Sequence, residues 1–108
     1  MTKNGGGTLT LSGSGNNSFT GATTINGGKV VMNKLGIAPA INTGAITVNS
    51  GGILEYAAGT SNTNLIHTAA INLNGLGQLD FNGATDEVGA VAINSGTGPA
   101  GHSTPITN

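Results

Sequence analysis

An asparagine opens a short glycine-rich turn five times along this chain, at Asn4-Gly5-Gly6-Gly7, Asn26-Gly27-Gly28, Asn49-Ser50-Gly51-Gly52, Asn74-Gly75-Leu76-Gly77 and Asn94-Ser95-Gly96-Thr97-Gly98. Successive asparagines lie 22, 23, 25 and 20 residues apart. A period of that size is the mark of stacked-coil architectures. A unit so short cannot bury an apolar face alone and becomes stable only by stacking on its neighbours. The spacing therefore predicts an all-β fold, a parallel β-solenoid (β-helix) of about five coils of 20–25 residues. It forms one module over 1–108, with coils beginning near 1, 23, 46, 71 and 91 and an irregular segment over 98–108.

Each turn separates two alternating segments. Thr23-Thr24-Ile25 precedes Lys29-Val30-Val31-Met32, Ile46-Thr47-Val48 precedes Ile53-Leu54-Glu55-Tyr56, and Ile71-Asn72-Leu73 precedes Gln78-Leu79-Asp80-Phe81. Period two with β-branched residues between glycine-rich turns is the signature of strands. Alternation assigns Ile25, Val30, Met32, Ile46, Val48, Leu54, Tyr56, Ile71, Leu73, Leu79, Phe81, Val91 and Ile93 to the core, with Leu9 and Leu11 restoring the pattern in the first coil. Thr47, Asn72, Glu55 and Asp80 then face water. The immediate consequence is a column in which Ile25, Val48, Leu73 and Ile93 stack.

The structural turn positions are Asn4, Gly5, Asn26, Gly27, Gly28, Asn49, Gly51, Gly52, Asn74, Gly75, Gly77, Asn94 and Gly96. Repeated sharp bends need positive φ, which glycine takes freely and asparagine tolerates. An isolated Asn-Gly would suggest a two-residue hairpin. The pattern leaves an antiparallel meander open, but longer turns recurring at coil spacing favour bends between the sides of a coil.

Two coils depart from the rule. Lys3 occupies the slot before the asparagine that Ile25, Val48, Leu73 and Ile93 fill, and a terminal coil lets its ammonium snorkel outward. In the fifth coil Gly98-Pro99-Ala100-Gly101 stands where a second strand is expected, so regular pairing is expected to falter there. The connections 34–44 and 57–64 vary in length and read as projecting side loops.

Composition closes off several functions. Gly, Asn, Thr and Ser make up more than half of the 108 residues, and the aromatics are Phe19, Tyr56 and Phe81, so a narrow coil column suits the chain better than a bulky globular core. Three lysines, four acids and a net charge of −1 leave no basic surface for nucleic acid. There is no cysteine, hence neither disulfides nor thiolate metal sites. No apolar run is long enough to cross a membrane. Met1-Thr2-Lys3-Asn4-Gly5 does not read as a signal peptide, so an exported protein is expected to carry its signal outside this chain.

Thr2-Lys3-Asn4-Gly5-Gly6-Gly7-Thr8-Leu9-Thr10-Leu11-Ser12-Gly13, followed by Asn16-Asn17-Ser18-Phe19-Thr20-Gly21-Ala22-Thr23-Thr24-Ile25-Asn26-Gly27-Gly28, resembles the passenger-associated β-strand repeat of bacterial autotransporters and related large surface proteins. The resemblance is strong over about the first 30 residues; the rest keeps the coil rhythm. Phe19 stands where the pattern has an aromatic, and Lys29 where a small residue or Thr is commoner. The resemblance implies a right-handed parallel β-helix on or outside the bacterial cell, in a repeat associated with passenger secretion rather than catalysis. No translocating barrel is recognisable, so secretion is expected to depend on another element.

The chemistry-bearing residues are sparse. A glycan-active enzyme needs clustered carboxylates or a base with cationic partners. Asp86-Glu87 is the single sequence-local acid pair, and Glu55 and Asp80 stack as outward neighbours at equivalent coil positions. Solvated surface carboxylates are the simpler reading. His67 and His102 lack acidic or histidine neighbours at ligand spacing, and the turns carry Asn or Ser where a calcium-binding β-roll needs repeated Asp. The expectation is therefore no enzyme, no cofactor and no metal. Thr8 and Thr10 form an outward pair, but Lys29, Val31, Ile53, Glu55, Gln78 and Asp80 break any threonine array for ice or crystalline polysaccharide. Val31 and Ile53 are read as matching positions in successive coils, forming a small apolar patch for a lateral contact unless a connection covers them.

The function expected is a non-catalytic extracellular rod, stalk or fibre segment at the bacterial cell surface. It is either part of an autotransporter-type passenger or a subunit stacking end to end into a filament, with a carbohydrate- or surface-binding adhesin as the alternative. Expected partners are neighbouring solenoid coils or further copies meeting the exposed ends, and cell-surface or matrix components. Neither nucleic acid nor membrane insertion is expected. Neither end shows a polar cap, and Ser103-Thr104-Pro105-Ile106-Thr107-Asn108 reads as strand-like, able to continue the coil path or to fold back over the last coil.

Overall fold

In the computed structural model, which describes residues 1–42, 44–59, 66, 68–94 and 105–108, the alternating segments are strands, and no helix occurs among the described residues. β1 (Thr2–Lys3), β3 (Thr23–Ile25), β5 (Ile46–Val48), β7 (Ile71–Asn74) and β9 (Val91–Asn94) form one sheet in that order. β2 (Thr8–Gly13), β4 (Gly28–Lys34), β6 (Gly52–Tyr56), β8 (Gln78–Asp80) and β10 (Ile106–Thr107) form the other. Every pairing is parallel. The chain passes from one sheet to the other and returns one layer further on, which is a β-solenoid, not a meander. Five layers in each sheet are joined by about four turns, slightly fewer than the five coils expected, because the first and last layers mark the ends of the path.

The register places like on like. Ile25 pairs with Val48, Val48 with Leu73, and Leu73 with Ile93. The first three are fully enclosed, each such burial contributing about 1.5–3 kcal/mol. Ile93 corrects the expectation: it continues the column but is 49% exposed, because it belongs to the last layer of its sheet. On the other sheet Val30, Leu54 and Leu79 are buried in register, between half-buried Leu9 and Ile106. Leu11, paired with buried Met32, is likewise half-buried at the end, and Val91 is half-buried beyond enclosed Ile46 and Ile71. Met32 pairs with buried Tyr56, whose ring stacks on half-buried Phe81 with centroids 5.1 Å apart and an interplanar angle of 11°.

Two narrow sheets cannot enclose a column, and the connections close the remaining side. Ala40, Ile41 and Ile66 are fully buried, and Ala38, Ala69 and Ala84 nearly so. Over its described residues the connection 34–44 is therefore a core-forming segment with an exposed portion at Leu35 and Ile37, rather than a side loop throughout, whereas residues 60–64 of the connection 57–64 lie outside the described residues. Small alanines let the backbone pass close to the strands.

The fifth layer also differs from expectation. Ile106 and Thr107 supply its second strand, paired with Leu79 and Asp80. Pro105 lacks an N–H but offers its carbonyl to the Leu79 N–H at 2.8 Å, so proline at the strand's entrance costs no ladder bond on that side. Residues 98–104 of the segment read as irregular lie outside the described residues.

At the corners adjacent turns pack backbone to backbone. Gly28 has φ +69°, and a Cβ there would lie 2.4 Å from the Gly7 carbonyl oxygen. At Gly77 it would lie 2.1 Å from the Val48 carbonyl oxygen. Glycine is required here by close approach as much as by turn conformation.

Candidate functional site

The five turn asparagines meet. Asn26 Nδ2 donates to Asn4 Oδ1 at 2.8 Å, Asn49 Nδ2 to Asn26 Oδ1 at 2.7 Å, Asn74 Nδ2 to Asn49 Oδ1 at 2.9 Å, and Asn94 Nδ2 to Asn74 Oδ1 at 3.1 Å. Asn26, Asn49 and Asn74 each donate toward the first coil and accept from the next coil on, while Asn4 accepts and Asn94 donates. The result is a polar ladder of one direction along the edge of the stack. Chained amides polarise one another, so the ladder is a cooperative register lock.

Backbone geometry aims these side chains. The Asn26 N–H donates to the Lys3 carbonyl at 2.9 Å and the Asn49 N–H to the Ile25 carbonyl at 2.8 Å, holding each asparagine over the preceding one. The turns then close on themselves, Gly52 N–H on the Asn49 carbonyl at 2.8 Å and Gly77 N–H on the Asn74 carbonyl at 3.0 Å. Gly5, Gly28, Gly51 and Gly75 take positive φ at these corners, and Gly27 lies against Gly5. Ser50 adds a rung by accepting the Leu76 N–H on Oγ at 3.1 Å. Asn94 completes the ladder; Gly96 lies outside the described residues.

Lys3 does not simply extend into water. Its Nζ donates to the carbonyls of Asn4 and Gly5 at 2.9 and 2.7 Å and of Gly27 at 3.2 Å, clasping the first turn to the second. Lys34 is buried, 4% exposed, and donates to the Gly15 carbonyl and Asn17 Oδ1, both at 2.8 Å. Asn17 Nδ2 in turn holds the Ala40 carbonyl at 2.7 Å, tying the connections of successive coils together. Lys34 has the inward parity of Val30 and Met32, a signal present in the sequence itself.

The acids are distributed among separate tasks. Glu55 and Asp80 are register partners on β6 and β8, as the coil alignment implied. Glu55 forms an ion pair with Lys29, while Asp80 Oδ1 accepts the Asn82 N–H at 2.9 Å. Asp86 turns away from a paired-acid arrangement: its Oδ2 accepts the Tyr56 hydroxyl at 2.7 Å and the Ile66 N–H at 3.1 Å, and its Oδ1 accepts the Glu87 N–H at 2.8 Å. Burial above all, then the hydrogen bond to Asp86 and the negative charge of that carboxylate, push the Tyr56 phenol far above its ordinary value. Tyr56 is therefore a neutral donor anchoring a connection to the core. Nothing in the local sequence announced this contact.

Val31 and Ile53 do not occupy matching positions. Val31 pairs with Glu55 and Ile53 with Lys29, so the two are diagonal neighbours whose surroundings include the Lys29–Glu55 ion pair. Among the described residues no group of three or more His, Asp or Glu is placed to hold a metal ion. His67 and His102 lie outside the described residues.

Parallel sheets joined layer by layer, with a lengthwise asparagine ladder at the turns, define the chain as a β-solenoid of the repeat-protein class. Residues 1–32 match the family of the passenger-associated-transport-repeat. The matched stretch contains β1, β2, β3 and most of β4, including the first ladder bond and the Lys3 clasp. Neither a curated protein nor a solved structure matches the chain. The repeat and the solenoid together point to a structural module.

Proposed function

We propose that this chain is a non-catalytic length of rigid rod within a secreted or cell-surface passenger of autotransporter type. The observation that carries the reading is the continuity of register from β1 to β9, reinforced at each layer by the asparagine ladder. Such an arrangement stiffens a structure along its length while spending its polar side chains on structural contacts. The acids described above hold Lys29, Tyr56 or backbone groups, which suits structure better than proton transfer. The repeat matched at residues 1–32 supports a role outside the cell, since its description ties it to passenger transport.

Folded reporter domains fused to both termini test the rod. β1 and β10 lie at opposite ends of the layer stack, so the reporters should keep a fixed separation, with a body of about four strand spacings between them. Small-angle scattering or paired spin labels would read this distance. A broad, solvent-dependent distribution would overturn the rod. Specific glycan binding by the intact chain would favour the adhesin alternative.

A further inference from the structure

We propose that Asn82-Gly83 is a site of spontaneous covalent modification in this chain. It closes to a succinimide and opens with water to aspartate or isoaspartate, while the asparagine ladder spares the interior Asn-Gly pairs built into it.

The chemistry starts from the sequence. Asparagine is followed by glycine at Asn4, Asn26, Asn74 and Asn82. In such a pair the glycine nitrogen, its proton lost to hydroxide, attacks the asparagine Cγ. An N–Cγ bond forms, the Cγ–Nδ2 bond breaks, and ammonia leaves with a proton taken from water. Water then opens the ring at either carbonyl. Cleavage at Cγ gives aspartate; cleavage at the main-chain carbon gives isoaspartate, with the chain rerouted through the side chain. Glycine favours the attack because it has no Cβ to hinder the approach and its backbone turns freely.

Ring closure requires the carboxamide to swing onto the following nitrogen, and the interior rungs resist this. Asn26 and Asn74 are each held at both carboxamide atoms, Asn26 by Asn4 and Asn49, and Asn74 by Asn49 and Asn94. The Gly75 nitrogen is itself engaged, donating to the Asn94 carbonyl at 2.9 Å. The neighbouring coils also crowd both glycines. A Cβ at Gly75 would lie 2.2 Å from Ser50 Oγ, and one at Gly27 would lie 3.6 Å from the Gly5 carbonyl oxygen.

Asn82 stands outside the ladder and is exposed. It turns with Gly83 through a bend in which the Ala84 N–H donates to the Phe81 carbonyl at 2.7 Å. Asn82 and Gly83 both take positive φ, 47° and 80°, a conformation strained for the asparagine. Its Nδ2 donates to the Tyr56 carbonyl at 3.2 Å, and its Oδ1 has no hydrogen-bond partner among the described residues. The Gly83 N–H is held by an exposed side chain, Asn108 Oδ1, at 3.0 Å. Nothing lies within 4 Å of the Cβ position at Gly83, so the backbone has room to rotate.

Conversion would loosen the end of β8. The Tyr56 carbonyl loses its donor, and a new carboxylate arises beside Asp80, whose Oδ1 accepts the Asn82 N–H. Isoaspartate also lengthens the main chain within the bend that seats buried Ala84.

The folded chain held in mildly alkaline buffer, beside a sample in urea, tests the assignment. Peptide mapping by mass spectrometry follows each pair, and enzymatic methylation reports isoaspartate. In urea Asn26, Asn74 and Asn82 should react at similar rates, since glycine follows each. In the folded chain Asn82 should react about tenfold or more faster than Asn26 and Asn74, the scale of the hydrogen bonds a ladder residue must break first. Asn108→Ala frees the Gly83 N–H and should hasten the reaction at Asn82 alone. Asn82→Gly suits the positive φ, should keep the fold, and should remove most of the isoaspartate signal. Folded-state reaction at Asn82 no faster than at Asn26 and Asn74 would overturn the proposal, as would an undiminished isoaspartate signal in Asn82→Gly.

Discussion

Asn49 donates its side-chain N–H to Asn26 Oδ1 at 2.7 Å across 23 residues of sequence, and in the same turn its backbone N–H binds the Ile25 carbonyl. One residue thus locks both main chain and side chain of its coil to the coil before. Asn49 also accepts from Asn74, so it serves two junctions. Asn49→Ala should lower stability by about 1–3 kcal/mol, and Asn4→Ala, which removes one described ladder bond, by less. Urea denaturation of the two variants checks this; equal losses would show that the ladder does not couple the coils.

Close packing at the corners makes a sharper test. A methyl group at Gly77 would sit 2.1 Å from the Val48 carbonyl oxygen, a backbone atom with little room to yield. Gly77→Ala should cost about 1–3 kcal/mol or prevent folding. Gly15 has nothing within 4 Å of the same methyl position, and Gly15→Ala should stay within about 0.5 kcal/mol of wild type. Thermal unfolding of both variants separates a steric demand from a general intolerance of glycine loss.

The Tyr56–Asp86 contact predicts a loss of stability in alkali. The folded-state value of the phenol is raised, so the unfolded chain releases this proton first as pH increases. The stabilisation is complete below the ordinary tyrosine value of about 10 and is lost progressively above it. Since the chain has one tyrosine and no tryptophan, phenolate absorbance reports this group directly. Absorbance should rise only with unfolding; ionisation of Tyr56 in the folded chain at about pH 10 would contradict the assignment. Tyr56→Phe should flatten the alkaline decline while lowering stability at neutral pH.

The Lys29–Glu55 ion pair should matter little. The two side chains are 35% and 17% exposed, where screening and side-chain entropy offset most of the attraction. Glu55→Gln is expected to cost about 0–1 kcal/mol, with the difference shrinking as salt is added. Combining it with Asp80→Asn should leave reporter separation unchanged. A large functional loss from that double substitution in a folded protein would reopen the glycan-enzyme reading.

Much of the layered design is legible in the residues themselves. The asparagine spacing announces the coil, and alternation identifies Ile25, Val48 and Leu73 as inward neighbours, because strand parity and turn preference are local properties of the chain. Parity also marks Lys34 as inward, against the usual preference of a charged side chain for water. What parity cannot supply is the number of layers above a given position: Ile93 has the same local pattern as Leu73, yet stands exposed at the end of its sheet. Nor does periodicity say what closes the third side, a task that falls to Ala40, Ile41 and Ile66 in connections without regular alternation. The return of Ile106–Thr107 to β8 and the approach of Asp86 to Tyr56 likewise join segments far apart in sequence. These contacts depend on which surfaces remain uncovered once the sheets have stacked, so they were decided by the tertiary structure alone.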